Sequence, residues 1–469
     1  MNLLDTFRNI FTIPDLRKRI FFTFALLAVY RLGSHIPTPG VDPTALSEFF
    51  KAMQSNVLGF LDLFSGGALR RLSIFALGIM PYISASIILQ LLTVVWPYLE
   101  KLSKEGELGR RKINQYTRYG TIVLSVVQSL GVAFWLKAQA APGGKALVPT
   151  HVQDAFWGIG FPLMTVLTLT AGTTFVMWLG EQISERGIGN GISLIIFAGI
   201  VVNLPQAALG LFQEIRTGER GILTVLFLIV FMIAVIAFVV FMERAQRRIP
   251  VQYAKRVVGR RVYGGSNTYL PLRVNTAGVI PVIFASSILV LPTTLAQMVK
   301  AEWAQNIAKQ IGMGEPIYYL LYMIGIIFFA YFYTSIVFNP VDTADNMRKY
   351  GGFIPGIRPG KKTSEYIDRV LTRITFVGSL YLAAVCILPE FLITGVHVAQ
   401  LPFGFGAWLD RSLPVWVTEG MGFSFYFGGT SLLIVVGVAM DTIQQIESQL
   451  VMRHYDGFMK RGRIRGRRG

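Results

Sequence analysis

The chain has 469 residues, of which 53% are hydrophobic and only 15% charged, and it carries a net charge of +18. Soluble domains hold about 25% charged residues, so a soluble body of this size is excluded and a polytopic membrane protein is indicated. Its single cysteine, Cys386, excludes an intramolecular disulfide framework. Four dispersed histidines (His35, His151, His397, His454) give no zinc-ligand spacing, so neither metal nor cofactor is expected.

A bilayer core about 30 Å thick takes roughly 20 mostly apolar residues per helix. In chain order the sequence offers ten such runs: 20–36, 74–96, 116–137, 156–179, 188–210, 221–242, 275–298, 317–338, 370–393 and 425–445. Arg17, Lys18 and Arg19 precede the first run with no A-x-A-like site behind it, so no cleavable leader is expected. Ahead of the second run, "LDLFSGGALRRL" (61–72) is too short and too broken to span, and Gly66–Gly67 weakens any helix there. Only "GEQISERG" (180–187) separates the fourth and fifth runs, and it predicts a tight turn.

The runs are poor in charge. Arg31 and Asp441 read as interfacial residues that snorkel to water, and Gln90 and Gln128 as contacts between helices. Ion-coupled transporters keep ionisable groups at mid-depth, so a proton relay is poorly supported. "PGIRPGKKT" (355–363) imitates a phosphate-binding loop, but Pro355 occupies the required glycine and Lys362 intervenes before Thr363.

Two connections, 243–273 and 339–369, are longer than topology requires. In the first, "IPVQYAKRVV" and "RVYGGSNTYLPL" predict a β-hairpin with Arg260 and Arg261 at its tip. The second holds "GGFIPGIRPGKK", a Gly/Pro-shaped projection that displays Arg358. Such bases can simply obey the positive-inside rule and touch anionic lipid. Arginines on stiff turns also suit RNA phosphate or an acidic protein surface.

When each basic residue is assigned to its nearer connection, 33 of the 44 fall on the side of both termini and 11 on the other. Both termini are therefore expected in the cytoplasm. Ten helices divide into two groups of five, residues 1–210 and 211–469. An odd number per half requires any structural repeat to be inverted in the membrane. No repeat is visible in the sequence itself.

Seven strings in order resemble the SecY family, the central subunit of the Sec protein-conducting channel. They are "LFSGGALRRLSIFALGIMPYISASIILQLL" (63–92), "RKINQYTRYGTIVL" (111–124), "WLGEQISERGIGNGISLIIFAGI" (178–200), "RAQRRIPVQYAKRVVGRRVYGG" (244–265), "LPLRVNTAGVIPVIFASSIL" (270–289), "GGFIPGIRPG" (351–360) and "FGGTSLLIVVGVAMDT" (427–442). The resemblance runs from "FRNIF" (7–11) to "YDGFMK" (455–460), and the loop wording is bacterial. It implies an all-α membrane protein with ten helices in two inverted five-helix halves around an hourglass pore. It also implies a pore ring of Ile83, Ile87, Ile188, Ile192, Ile283 and Ile434. A plug at about 61–73 would include Phe64, Ser65, Gly66, Gly67, Ala68 and Leu69. Arg247, Arg248, Lys255, Arg256, Arg260, Arg261 and Arg358 would lie in loops that dock SecA or the ribosome.

Spacing contributes independently, because 83/87 and 188/192 each place two residues on one helical face. Arg70–Arg71 and the long 394–424 loop depart from the family pattern. The implied partners are SecE and SecG in a heterotrimer, the SecA motor ATPase, ribosomes, a YidC-type insertase with accessory Sec subunits, signal peptides with nascent chains, and membrane lipids. The expected activity is passage of unfolded polypeptides across, or sideways into, the bacterial cytoplasmic membrane, with no covalent chemistry. A small-solute transporter and a non-conducting ribosome anchor remain the rival classes.

Overall fold

The computed structural model describes residues 13–52, 65–139, 145–153, 158–218, 221–253, 256–258, 261–263, 267–298, 310–312, 314–396, 414, 418, 420 and 429–461. In chain order its helices begin with α1 (Pro14–Gly33), α2 (Pro43–Ala52), α3 (Met80–Val95), α4 (Pro97–Lys104) and α5 (Glu107–Ala138). Next come α6 (Gly160–Arg186), α7 (Gly191–Thr217), α8 (Ile222–Arg244), α9 (Ile280–Met298) and α10 (Pro316–Val337). The last are α11 (Pro340–Lys349), α12 (Lys361–Thr394) and α13 (Gly429–Arg461). Each of the ten expected runs falls on one of α1, α3, α5 to α10, α12 and α13. Among the described residues seven helices are long and apolar enough to cross a membrane, or eight if the bent pair α3–α4 is one span.

Several boundaries differ from the expected ones, each for a local reason. The second run was expected to be helical from 74, but α3 starts at Met80. Gly78 takes φ +55° and Pro81 sits in the first turn of α3, so residues 74–79 form short turns instead. Pro97 then ends α3, because the residue before a proline avoids the helical region, and the chain bends by 98° into α4. "GEQISER" is not a turn but the last two turns of α6, and the reversal lies at 187–190. Gly180 lies within that helix, where a Cβ would press on the Ile192 side chain.

The structure divides into two compact units. Unit 1 takes Met1–Leu209, Thr293–Asn306 and Val438–Gly469, and unit 2 takes Gly210–Pro292 and Ile307–Gly437. In unit 1, α6 packs on α5 and on α1, and α5 packs on α3. One core of this unit gathers Ala45, Leu46, Phe49 and Phe50 of α2 with Leu72, Ala76, Ala133, Leu136, Phe161 and Leu169. Gly172 of α6 is where the 74–79 turns press closest, since a Cβ there would strike the Ile74 carbonyl. Gly172→Ala is accordingly expected to destabilise unit 1 by about 1–3 kcal/mol, as overpacking does. Thermal unfolding of the purified protein in detergent checks this, and an unchanged midpoint would contradict it.

Unit 2 holds the only sheets among the described residues. They are built from β1 (Gln246–Tyr253), β2 (Arg256–Val258), β3 (Arg261–Tyr263), β4 (Asn267–Arg273) and β5 (Gly352–Phe353). The order β4-β1-β5 makes one antiparallel sheet, and β2-β3 makes a second. Also in this unit α10 packs on α12, and Phe284 of α9 meets Phe329 of α10 edge-on at 5.8 Å.

Candidate functional site

The segment expected to act as a plug belongs to unit 1. Phe64 lies outside the described residues, while Ser65, Gly66 and Ala68 are buried and Gly67 and Leu69 half-buried. Gly66 and Gly67 both take positive φ, +65° and +83°, which a residue with a Cβ rarely adopts. A Cβ on Gly66 would also stand 2.9 Å from the Gly199 Cα of α7. The segment continues into a short backbone ladder: Thr38 N–H donates to the Leu72 carbonyl at 2.8 Å, and Ile74 N–H donates to that of Ile36 at 3.0 Å. Residues 72–79 are then wedged between helices, with Phe75 stacked on Tyr30 of α1 (5.9 Å) and on Phe175 of α6 (6.0 Å). Most of this segment is irregular backbone at the depth of long apolar helices, which is tolerated only where protein surrounds it.

Five of the six ring candidates are buried, from Ile434 at 0% exposed to Ile283 at 7%, and Ile192 is half-buried. Burial turns those five away from lipid and against neighbouring residues of the chain. Ile83 and Ile87 do share one face of α3, together with Ser84. Ile188 and Ile192 do not share a helical face, because Gly189 takes φ +88° and α7 begins only at Gly191. Ile188 instead donates its N–H to the Thr23 hydroxyl at 3.1 Å and packs with Leu16 and Leu450. In unit 2, Ile283 lies in the first turn of α9, where its carbonyl accepts from both Ser286 and Ser287 hydroxyls. Ile434 sits in the buried run Leu432–Leu433–Ile434 of α13.

The two long basic loops turn out to be one construction. The predicted hairpin exists: β1 pairs with β4, and β2 with β3, whose last pair is Val258↔Arg261. Residues 259–260 and Lys255 lie outside the described residues, so of the two arginines expected at the tip only Arg261, at the start of β3, is described. Arg256 is paired with Tyr263 by its backbone. The second loop joins the first through β5, with Gln252↔Phe353 and Tyr253↔Gly352 in register. Beneath them Ile249, Val251 and Leu272 share a core with Met347 of α11, Ile354, and Ile367 and Val370 of α12. Arg247, Arg248 and Arg358 are exposed above it. Thr363 holds the second projection in shape by donating its hydroxyl to the Arg358 carbonyl at 2.9 Å.

Because one core supports both loops, Ile249→Asp is expected to loosen them together. Tryptic cleavage after Arg247 in the first loop and after Lys361 in the second should both quicken, by about tenfold or more, as local opening becomes easier. Acceleration at one loop alone would show two independent projections.

Sequence reasoning passed over Glu390 and the contact that Arg31 makes. Glu390 lies within the expected span 370–393; it is half-buried on α12 beside Pro389, in the neighbourhood of Tyr318 and Cys386. Arg31, read as a snorkelling interfacial residue, turns its guanidinium to the protein and donates to the Gly66 carbonyl at 2.7 Å. No sequence signal linked position 31 to position 66; a basic residue late in an apolar run was the only hint. Among the described residues no cluster of His, Cys, Asp or Glu is disposed to hold a metal ion.

A family model described as SecY matches residues 73–443. The protein translocase subunit SecY of Pseudomonas aeruginosa is 48% identical over 458 residues, covering 97% of this chain and 95% of that protein. That of Aquifex aeolicus is 46% identical over 455 residues, covering 97% and 99%. Among solved structures, a SecY protein whose plug domain stabilises the closed state of the translocation channel aligns with TM-score 0.61 at 18% identity, covering 92% of each chain. Sec61 of the canine ribosome–channel complex aligns with TM-score 0.55 at 17% identity, again covering 92% of each. Near-full-length identity of this degree, joined to the same helical architecture, makes the chain a member of the SecY family of protein translocase subunits.

Proposed function

We propose that the chain is the passive protein-conducting channel of a bacterial Sec translocase, passing unfolded polypeptides across the cytoplasmic membrane and releasing apolar segments sideways into lipid. The observation that carries this is the 65–79 segment: a non-spanning, glycine-hinged piece of chain held among long apolar helices. A segment that neither crosses the membrane nor lies outside the protein suits a stopper, and residues 61–73 take that role in this proposal. Ile83, Ile87, Ile188, Ile192, Ile283 and Ile434 form the constriction in this proposal. A narrow aliphatic collar dewets and so blocks ions, yet it demands no particular hydrogen bond from a passing chain. The five-helix halves are 1–210 and 211–469, inverted in the membrane.

Both termini and the basic loops face the cytoplasm, as the threefold bias of lysine and arginine supports. The exposed Arg247, Arg248 and Arg358, with Lys255, Arg256, Arg260 and Arg261, then form the surface that docks SecA or the ribosome. SecE and SecG complete the heterotrimer, a YidC-type insertase and accessory Sec subunits exchange on it, and signal peptides and lipids meet at the second and seventh runs (74–96 and 275–298), which serve as the lateral gate. The chain itself performs no covalent chemistry, so work comes from its partners or from the proton-motive force.

A photocrosslinker at Ile83 or Ile192, with a precursor stalled in transit, is expected to capture the precursor. Absence of such crosslinks, while the same precursor is exported, would remove the channel from this chain and leave the transporter or anchor classes.

A further inference from the structure

We infer that Arg31 is the latch of the closed state, holding the stopper by its backbone through the Gly66 carbonyl. The inference rests on residues 65–71 being the displaceable stopper and names what restrains it. The segment is anchored at two places of different strength. At its root, residues 72–74 pair with 36–38 through backbone hydrogen bonds and a bridge between Pro37 and Ser73. At its near edge, two side chains of α1 reach across: Arg31 Nη1 to the Gly66 carbonyl at 2.7 Å, and Tyr30 Oη to the Ser65 carbonyl at 3.2 Å. The first is charge-assisted and short, so it is the stronger of the two.

Both acceptors are main-chain carbonyls, which makes the grip independent of plug side chains. Only a glycine lets Gly66 sit there, with φ +65° and Gly199 directly behind it. Arg31 is also held in place for the task. It stands in the last turn of α1, where its own carbonyl accepts from the Ser34 hydroxyl at 2.7 Å, and its Nη1 lies 3.4 Å from that same oxygen. One charge-assisted hydrogen bond keeps the stopper seated while leaving little to overcome when a chain enters.

The test uses the full chain in planar bilayers and in lipid nanodiscs. Arg31→Met keeps length and removes the donors. It is expected to raise resting ion conductance by about tenfold, the factor that loss of one charge-assisted hydrogen bond gives. Hydrogen exchange should quicken at the amides of Ala68, Leu69 and Leu72, while α5 and α6 stay protected. Arg31→Lys, which keeps a charged donor, should restore part of the seal. Gly66→Ala, which disturbs the same contact from the other side, should open the channel and add little to Arg31→Met.

An unchanged seal in Arg31→Met, or exchange that rises equally throughout unit 1, would overturn the latch. Deleting residues 65–69 separates the two ideas. Leakage in the deletion with a tight Arg31→Met variant leaves the stopper standing and removes the latch. A tight seal in both removes the stopper as well.

Discussion

Replacing the ring isoleucines by glycine, in the pairs Ile83 with Ile87 and Ile283 with Ile434, is expected to convert an ion-tight protein into a leaking one. Conductance of the full chain in planar bilayers reads the effect directly. The physical basis is that an aliphatic constriction excludes water by being narrow and apolar, so widening it lets water and then ions through. Conductance should rise from near the baseline to a steady leak, the largest functional change expected of any variant described. The substitutions also carry a structural cost, because these residues are buried. Truncating a buried isoleucine to alanine costs about 2–5 kcal/mol, and glycine in a helix about 1 kcal/mol more. Pairs are therefore used rather than all six at once. Ile83→Leu with Ile434→Leu, which conserves volume, should stay tight. A sealed glycine pair in protein that is inserted and folded would remove those two residues from the constriction.

Reversing one charge on the basic surface should matter nearly as much. Arg358→Glu is expected to lower SecA-driven export of a secretory precursor by about tenfold or more, equivalent to at least 1.4 kcal/mol, while the protein remains inserted at normal level. Arg358 is exposed on a projection fixed by Thr363 and by the strand pairing of β5, so the substitution leaves the core beneath it untouched. Surface changes of this kind usually alter stability by less than about 0.5 kcal/mol. An acidic partner meeting glutamate in place of arginine loses an attraction and gains a repulsion, which acts on both encounter and specificity. Arg358→Lys should retain more activity than Arg358→Glu but less than the native residue, because lysine keeps the charge without the planar fork. Export at the native rate in Arg358→Glu would remove this projection from the docking surface.

The glycine-hinged segment and the basic loops illustrate different kinds of legibility. That 61–72 does not span was plain from its length and from Gly66–Gly67. Where the segment sits was not, because its anchors lie 35 residues away in α1 and more than a hundred away in α7. The hairpin in 243–273 was visible from its alternating and aromatic pattern, and its register pairs Arg261 with Val258. Its union with the second loop was invisible: β5 is two residues long, and no two-residue stretch carries a strand signal. Helix boundaries erred where a glycine or proline set the turn, as at Gly78, Pro97 and Gly189. They erred again where polar sequence such as "GEQISER" stayed helical because α6 continues beyond its apolar run.

What the sequence determined by itself was the class of molecule, the positions of ten apolar runs and the uneven share of basic residues among their connections. These depend on composition and on local periodicity, which each stretch of chain carries within itself. The tertiary structure alone decided that Ile188 packs on Leu16 and Leu450, that two loops share one sheet, and that Arg31 grips Gly66. Those contacts join residues far apart in the chain. They follow from which surfaces fit together in space, a property that no local pattern encodes.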